Sequence, residues 1–85
     1  MASLRNLPNI GKILEEQLES IGIRTPDELR TAGSREAWMR IQAIDASACY
    51  NRLCALEGAI RGVRWHDLPP DVKEDLLAFY RIHKL

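Results

Sequence analysis

The residues best placed to do chemistry in this chain are Asn9, Ile10, Gly11 and Lys12, a tight turn that feeds an amphipathic segment carrying Leu14, Leu18 and Ile21. At the start of a helix the first backbone N–H groups have no intrahelical acceptor, and the helix dipole adds partial positive charge there. Such a turn can hold an anion, a phosphate above all. Lys12 adds a point charge, and Arg5 is close enough in sequence to reach the same face. A second basic group, Arg52, Arg61 and Arg64, surrounds the end of a later helix, where cations also complement the dipole. Gly58, Arg61 and Arg64 are therefore candidates for an interface with a partner.

Other reactive residue types lack the company they need. Glu57 has no second carboxylate in motif spacing, so general acid–base work is not indicated. His66 and His83 stand alone, and Cys49 and Cys54 form no Cys-x-x-Cys pair, so no zinc site is expected. Five residues apart on one helix, the two cysteines point about 140° from each other and cannot form a disulfide. They read as two small buried thiols in a reducing cytoplasm. No nucleophile–base–acid array, phosphate loop or dinucleotide fingerprint occurs. The expectation is no catalytic residue, no metal and no cofactor.

The elements that must position these residues are all helical. Ser3 caps a brief first turn that ends before Pro8. A second helix, from about residue 10 or 11 to 21, puts Ile10, Leu14, Leu18 and Ile21 on one stripe, and Gly22 supplies a left-handed stop. Thr25-Pro26-Asp27-Glu28 is a capping box with proline at the first helical position, and that short helix ends at Gly33. Ser34 then caps a helix bearing Trp38 and Ile41. Asp45 and Ser47 offer the next start, for a helix over about 48–61 that ends at Gly62. Pro70 opens a last helix with Val72, Leu76, Phe79 and Tyr80 on one face. The predicted core is Leu14, Leu18, Leu29, Ile41, Leu53, Leu56, Ile60, Leu76 and Phe79, with Trp38 and Trp65 as core or edge-of-core anchors. Gly58, a mid-helix glycine, predicts a close approach by another helix.

With 85 residues, one domain with a single small core is expected, an all-α cluster of five or six short helices. Twelve basic and twelve acidic side chains give zero formal charge, which argues against strong sequence-independent binding of nucleic acid. No run is apolar enough for a membrane span and no signal peptide opens the chain, so a cytoplasmic protein without a membrane partner is expected. The partners that remain are another protein, the DNA backbone held weakly, or a second copy of the chain as a homodimer.

Leu-Pro-x-Ile-Gly before a helix and Ile-Gly-Ile-x-Thr after it resemble the hairpin of helix-hairpin-helix and SAM-like domains, with Asn9 standing where the first glycine of the usual Gly-apolar-Gly turn falls. Asn tolerates a left-handed backbone, but its side chain obstructs close approach to that backbone. Leu7, Gly11, Leu18, Gly22-Ile23, Thr25 and Leu29, followed by Leu56-Glu57-Gly58-Ala59-Ile60, Gly62, Trp65, Leu68-Pro69 and Leu76, are similar to the C-terminal domain of the TfoX/Sxy family of bacterial competence regulators. That resemblance implies an all-α fold of the helix-hairpin-helix type and an association with activating transcription for DNA uptake. In larger members an α/β domain precedes this one. Two readings follow: a non-enzymatic regulatory module acting through protein contacts and weak DNA-backbone contact at Asn9–Lys12, or a protein-interaction or dimerisation domain with no nucleic-acid role.

Overall fold

Capping chemistry sets where each element begins and ends. In the computed structural model, which describes residues 3–85, five α-helices and two 3-10 turns account for the regular structure. The first 3-10 turn, Leu4–Asn6, is capped by the Ser3 side chain, as expected. Helix α1 spans Lys12–Ser20, and its end is closed by two backbone bonds, Ile23 N–H to the Leu18 carbonyl and Gly22 N–H to the Glu19 carbonyl, with Gly22 at φ 91°. Helix α2 spans Pro26–Ala32. The Thr25 hydroxyl accepts from Glu28 N–H at 3.1 Å, and the Glu28 carboxylate accepts from Arg24 N–H at 3.1 Å, one residue earlier than the usual reciprocal bond.

Helix α3 spans Ser34–Ile44, α4 spans Tyr50–Arg61 and α5 spans Pro70–His83, with a second 3-10 turn at Trp65–Asp67 before α5. Two boundaries differ from expectation. Gly33, not Ser34, occupies the cap position of α3, and the Ser34 hydroxyl instead donates to Glu57 Oε1 at 2.6 Å. Helix α4 starts at Tyr50 because the Asp45 carboxylate first closes a local turn by accepting from both the N–H and the hydroxyl of Ser47. Cys49 therefore lies outside the helix and is exposed, which corrects the expectation of two buried thiols; Cys54 alone is buried.

Helix α4 is the centre of the packing and lies against α2, α3, α5 and the second 3-10 turn. Leu18, Leu29, Ile41, Leu53, Leu56 and Leu76 are fully buried, and Leu14 nearly so. Trp38 is fully buried too, its indole N–H donating to the Cys49 carbonyl at 3.1 Å and its ring meeting Phe79 and Tyr80 edge-on. Ile60 and Phe79 are only partly buried, while Leu4, Ile23 and Leu68 join the core unannounced by any helical stripe. They sit in turns, where periodicity carries no signal. Gln42 fastens the end of α5 by donating to the His83 carbonyl and accepting from Leu85 N–H. Lys84 completes this fastening through the carbonyls of Ala46 and Ala48. Leu56→Ala should cost about 2–5 kcal/mol, since it opens a cavity at the centre of a small core. A urea melt checks this, and an unchanged midpoint would contradict the packing described.

Candidate functional site

Asn9 takes the left-handed backbone of the first turn, at φ 70°, whereas Gly11 adopts an ordinary φ of −98° with open space above its Cα. The left-handed position turns the Asn9 side chain inward, not toward a ligand. Its Nδ2 donates to the carbonyls of Ala55 at 3.3 Å and Val63 at 3.0 Å, and its Oδ1 accepts from Trp65 N–H at 3.1 Å. One carboxamide thus ties the first hairpin to α4 and to the strand of chain that leaves it. The Asn9 side chain is therefore occupied within the fold.

Gly58 belongs to the same knot. Helix α4 ends in the pattern seen at α1, with Val63 N–H bonded to the Gly58 carbonyl and Gly62 at φ 76°. The chain therefore folds back over Gly58, and a Cβ there would lie 2.6 Å from Asn9 Nδ2 and 2.7 Å from the Val63 carbonyl oxygen. Gly58 is buried, and what approaches it is a side chain and a loop of its own chain, not another helix. In this fold it is not available to a partner.

The latch places the start of α1 beside the first half of α4 and the Arg64–His66 segment, leaving an open groove of about 880 Å³ between them. Pro8, Leu14, Ala55 and Trp65 give it an apolar lining, and Ile13 stands in it 72% exposed. Lys12, Arg52, Arg64 and His66 also line it, and no aspartate or glutamate does. Gly11 offers no side-chain cap, so the first N–H groups of α1 keep no side-chain acceptor. The Trp65 and His66 rings stack at 3.9 Å on the groove wall.

Of the predicted residues, then, Asn9, Gly11, Lys12 and Arg64 come together, joined by Arg52. Ile10 is buried below them. Arg5 is exposed on the first 3-10 turn and does not line the groove. Arg61 pairs with Glu57 along α4. Burial pushes the Glu57 carboxyl up, but the Ser34 hydroxyl and Arg61 outweigh it and hold it below its ordinary value. Among the described residues no cluster of His, Cys, Asp or Glu could hold a metal ion.

Asp45 braces the groove from behind. Beside its two bonds from Ser47, its carboxylate accepts from Gln17 of α1 at 2.7 Å and from Arg52 of α4 at 3.0 Å. These bonds, those from Ser47 foremost, hold the carboxyl well below its usual range. Gln17 Oε1 is buried without a donor among the described residues.

The model of the TfoX C-terminal domain matches residues 1–80 of the chain. The chain belongs to the TfoX C-terminal domain family. Its similarity to Protein Sxy of Escherichia coli (strain K12) is 33% identity over 73 residues, covering 86% of this chain and 35% of that protein. This TfoX C-terminal domain thus spans about a third of the length of that relative. An uncharacterized protein from Listeria monocytogenes, in its triclinic crystal form, superposes with a TM-score of 0.94 at 49% identity, covering 95% of this chain and 92% of its own. A Listeria monocytogenes protein of unknown function in a tetragonal form gives 0.91 at 49% identity, over 93% and 96%. The family and the all-helical fold agree with the reading of the sequence.

Two substitutions probe the knot. Gly58→Ala ordinarily favours a helix by about 0.5–1 kcal/mol, yet here it should destabilise by about 1–3 kcal/mol, because a backbone oxygen blocks the new methyl group. In an Asn9→Gly background that penalty should shrink without vanishing, since the Val63 and Trp65 backbone obstacles remain; strictly additive losses in denaturant melts would contradict the latch. For Asp45 the folded-state value is depressed, so its contribution is present above the ordinary value of 3.8 and drains away as pH falls below it. Asp45→Asn should therefore flatten the acid limb of stability below about pH 4. An unchanged limb would show that Asp45 does not brace α1 against α4.

Proposed function

We propose that this domain is a non-enzymatic contact module of a competence-type transcription regulator, working in the cytoplasm, and that the groove between α1 and α4 is its contact surface. The carrying observation is charge segregation. A chain with twelve basic and twelve acidic side chains nonetheless lines this groove with three formal cations and no carboxylate. Random interspersion would put both signs there, as the hollow between α2 and α3 does with Asp27, Glu28, Glu36 and Arg40.

Protein is the primary partner in this reading and the DNA backbone a secondary one. Affinity for duplex DNA scales with phosphates neutralised, and Lys12, Arg52 and Arg64 allow a salt slope no steeper than about −2.7. Arg52 is already paired with Asp45, which reduces the number further. Such a surface binds duplex no more tightly than about 10⁻⁴ M at physiological salt, too weak to localise a regulator alone. The apolar lining and exposed Ile13 gain nothing from a phosphate ridge and much from a protein partner.

Lys12 and Arg64 are exposed, so reversing both charges should leave the fold intact. A regulator carrying Lys12→Glu and Arg64→Glu should lose at least about tenfold in transcription of DNA-uptake genes when it replaces the native copy. Arg40→Glu, on the α2–α3 side, should not. Full complementation by the double variant would overturn the assignment of the groove.

A further inference from the structure

We infer that the occupant of the α1–α4 groove is a segment of a partner protein in which a carboxylate adjoins a large apolar side chain. This rests on the reading of the groove as the domain's contact surface and adds the chemistry of what fills it. Three observations converge. The lining carries Lys12, Arg52 and Arg64 against no acid, so an anionic group is matched and a cationic one repelled. The cations share the groove with an apolar lining and with Ile13, a large aliphatic side chain left 72% exposed. The volume, about 880 Å³, is of the size that takes several side chains and far exceeds the seat of a single phosphate.

Two of the cations differ in what they can offer. Arg52 is neutralised by Asp45 behind the wall, whereas neither Lys12 nor Arg64 has an ion-pair partner among the described residues. The carboxylate of the incoming segment therefore falls to Lys12, Arg64 and the uncapped start of α1. Its apolar neighbour covers Ile13 and the exposed part of Trp65. A duplex would use the cations and leave the aliphatic surface wet. A basic or purely polar peptide would leave Lys12 and Arg64 unmatched.

The test is selection of a displayed random-peptide library on the full 85-residue chain, followed by ¹⁵N–¹H spectra with the enriched peptides and, separately, with duplex DNA. The expected outcome is enrichment of peptides pairing Asp or Glu with a large apolar residue, shifting the amides of Gly11–Leu14, Asn51–Ala55 and Trp65. Lys12→Glu with Arg64→Glu should weaken those peptides about tenfold or more, and Ile13→Ser should weaken them independently, with melting curves unchanged for both variants. Enrichment of basic or neutral peptides, binding at another face, or no enrichment overturns the inference; so does duplex DNA shifting the groove amides where no acidic peptide does. If the double charge reversal still silences transcription in those cases, the groove remains the contact surface and only its occupant is wrong. If it leaves transcription intact as well, both readings fall.

Discussion

Two part-buried backbone groups, the Val63 carbonyl and the Trp65 N–H, need partners that no secondary structure provides, and the Ala55 carbonyl, inside α4, has a second lone pair free for another donor. The Asn9 carboxamide supplies all three, with a two-donor nitrogen for the carbonyls and an oxygen for the amide. No isostere does the same. Aspartate would set an oxygen against two carbonyl oxygens, and leucine would leave the Val63 carbonyl and the Trp65 N–H unpaired, at about 1–3 kcal/mol each. The left-handed backbone at residue 9 delivers this side chain into the crease, and a residue with a branched Cβ would resist that conformation. Much of the molecule follows. The hairpin is fixed on α4, Gly58 must lack a side chain, and the start of α1 faces Arg52 and Arg64 across a groove.

That arrangement explains how a chain with no net charge can still present a polarised surface. The acidic residues on α1, Glu15, Glu16 and Glu19, do not line the groove, and Asp45 is spent on an internal brace joining α1, α4 and the turn between α3 and α4. Lys12 and Arg64 are left facing the groove without a counter-ion among the described residues. A small, locally charged and partly apolar surface suits a regulatory domain that selects a partner, since charge sets specificity and encounter rate while apolar burial supplies affinity.

How much of this could be read from the residues depended on whether the signal was local. Thr25-Pro26-Asp27-Glu28, Gly22, Gly62 and Pro70 announce helix ends because capping is decided within four or five residues, and each marks the boundary observed. Ser34 misled because its hydroxyl is claimed by Glu57, 23 residues away, while Gly33 takes the cap. Cys49 misled because Asp45 and Ser47 spend two extra residues on their own turn. At the site, Gly11 and Lys12 were legible as a helix start. The partnership of Asn9 with residues 46 to 56 positions away was not, since nothing in the spacing connects them. A mid-helix glycine ahead of a helix-ending glycine, Gly58 and then Gly62, was the available clue that the chain folds back over its own helix.

The latch itself is open to direct measurement by hydrogen exchange at single-residue resolution. In the native protein Trp65 N–H, held by Asn9 Oδ1, should exchange slowly although Trp65 lies in a short turn near the surface. In Asn9→Gly, which keeps the left-handed turn and removes the carboxamide, that amide should exchange much faster while the amides around Leu76 in α5 stay protected. Equal exchange at Trp65 in the two proteins would contradict the account, because the hairpin would then be held on α4 by something other than Asn9.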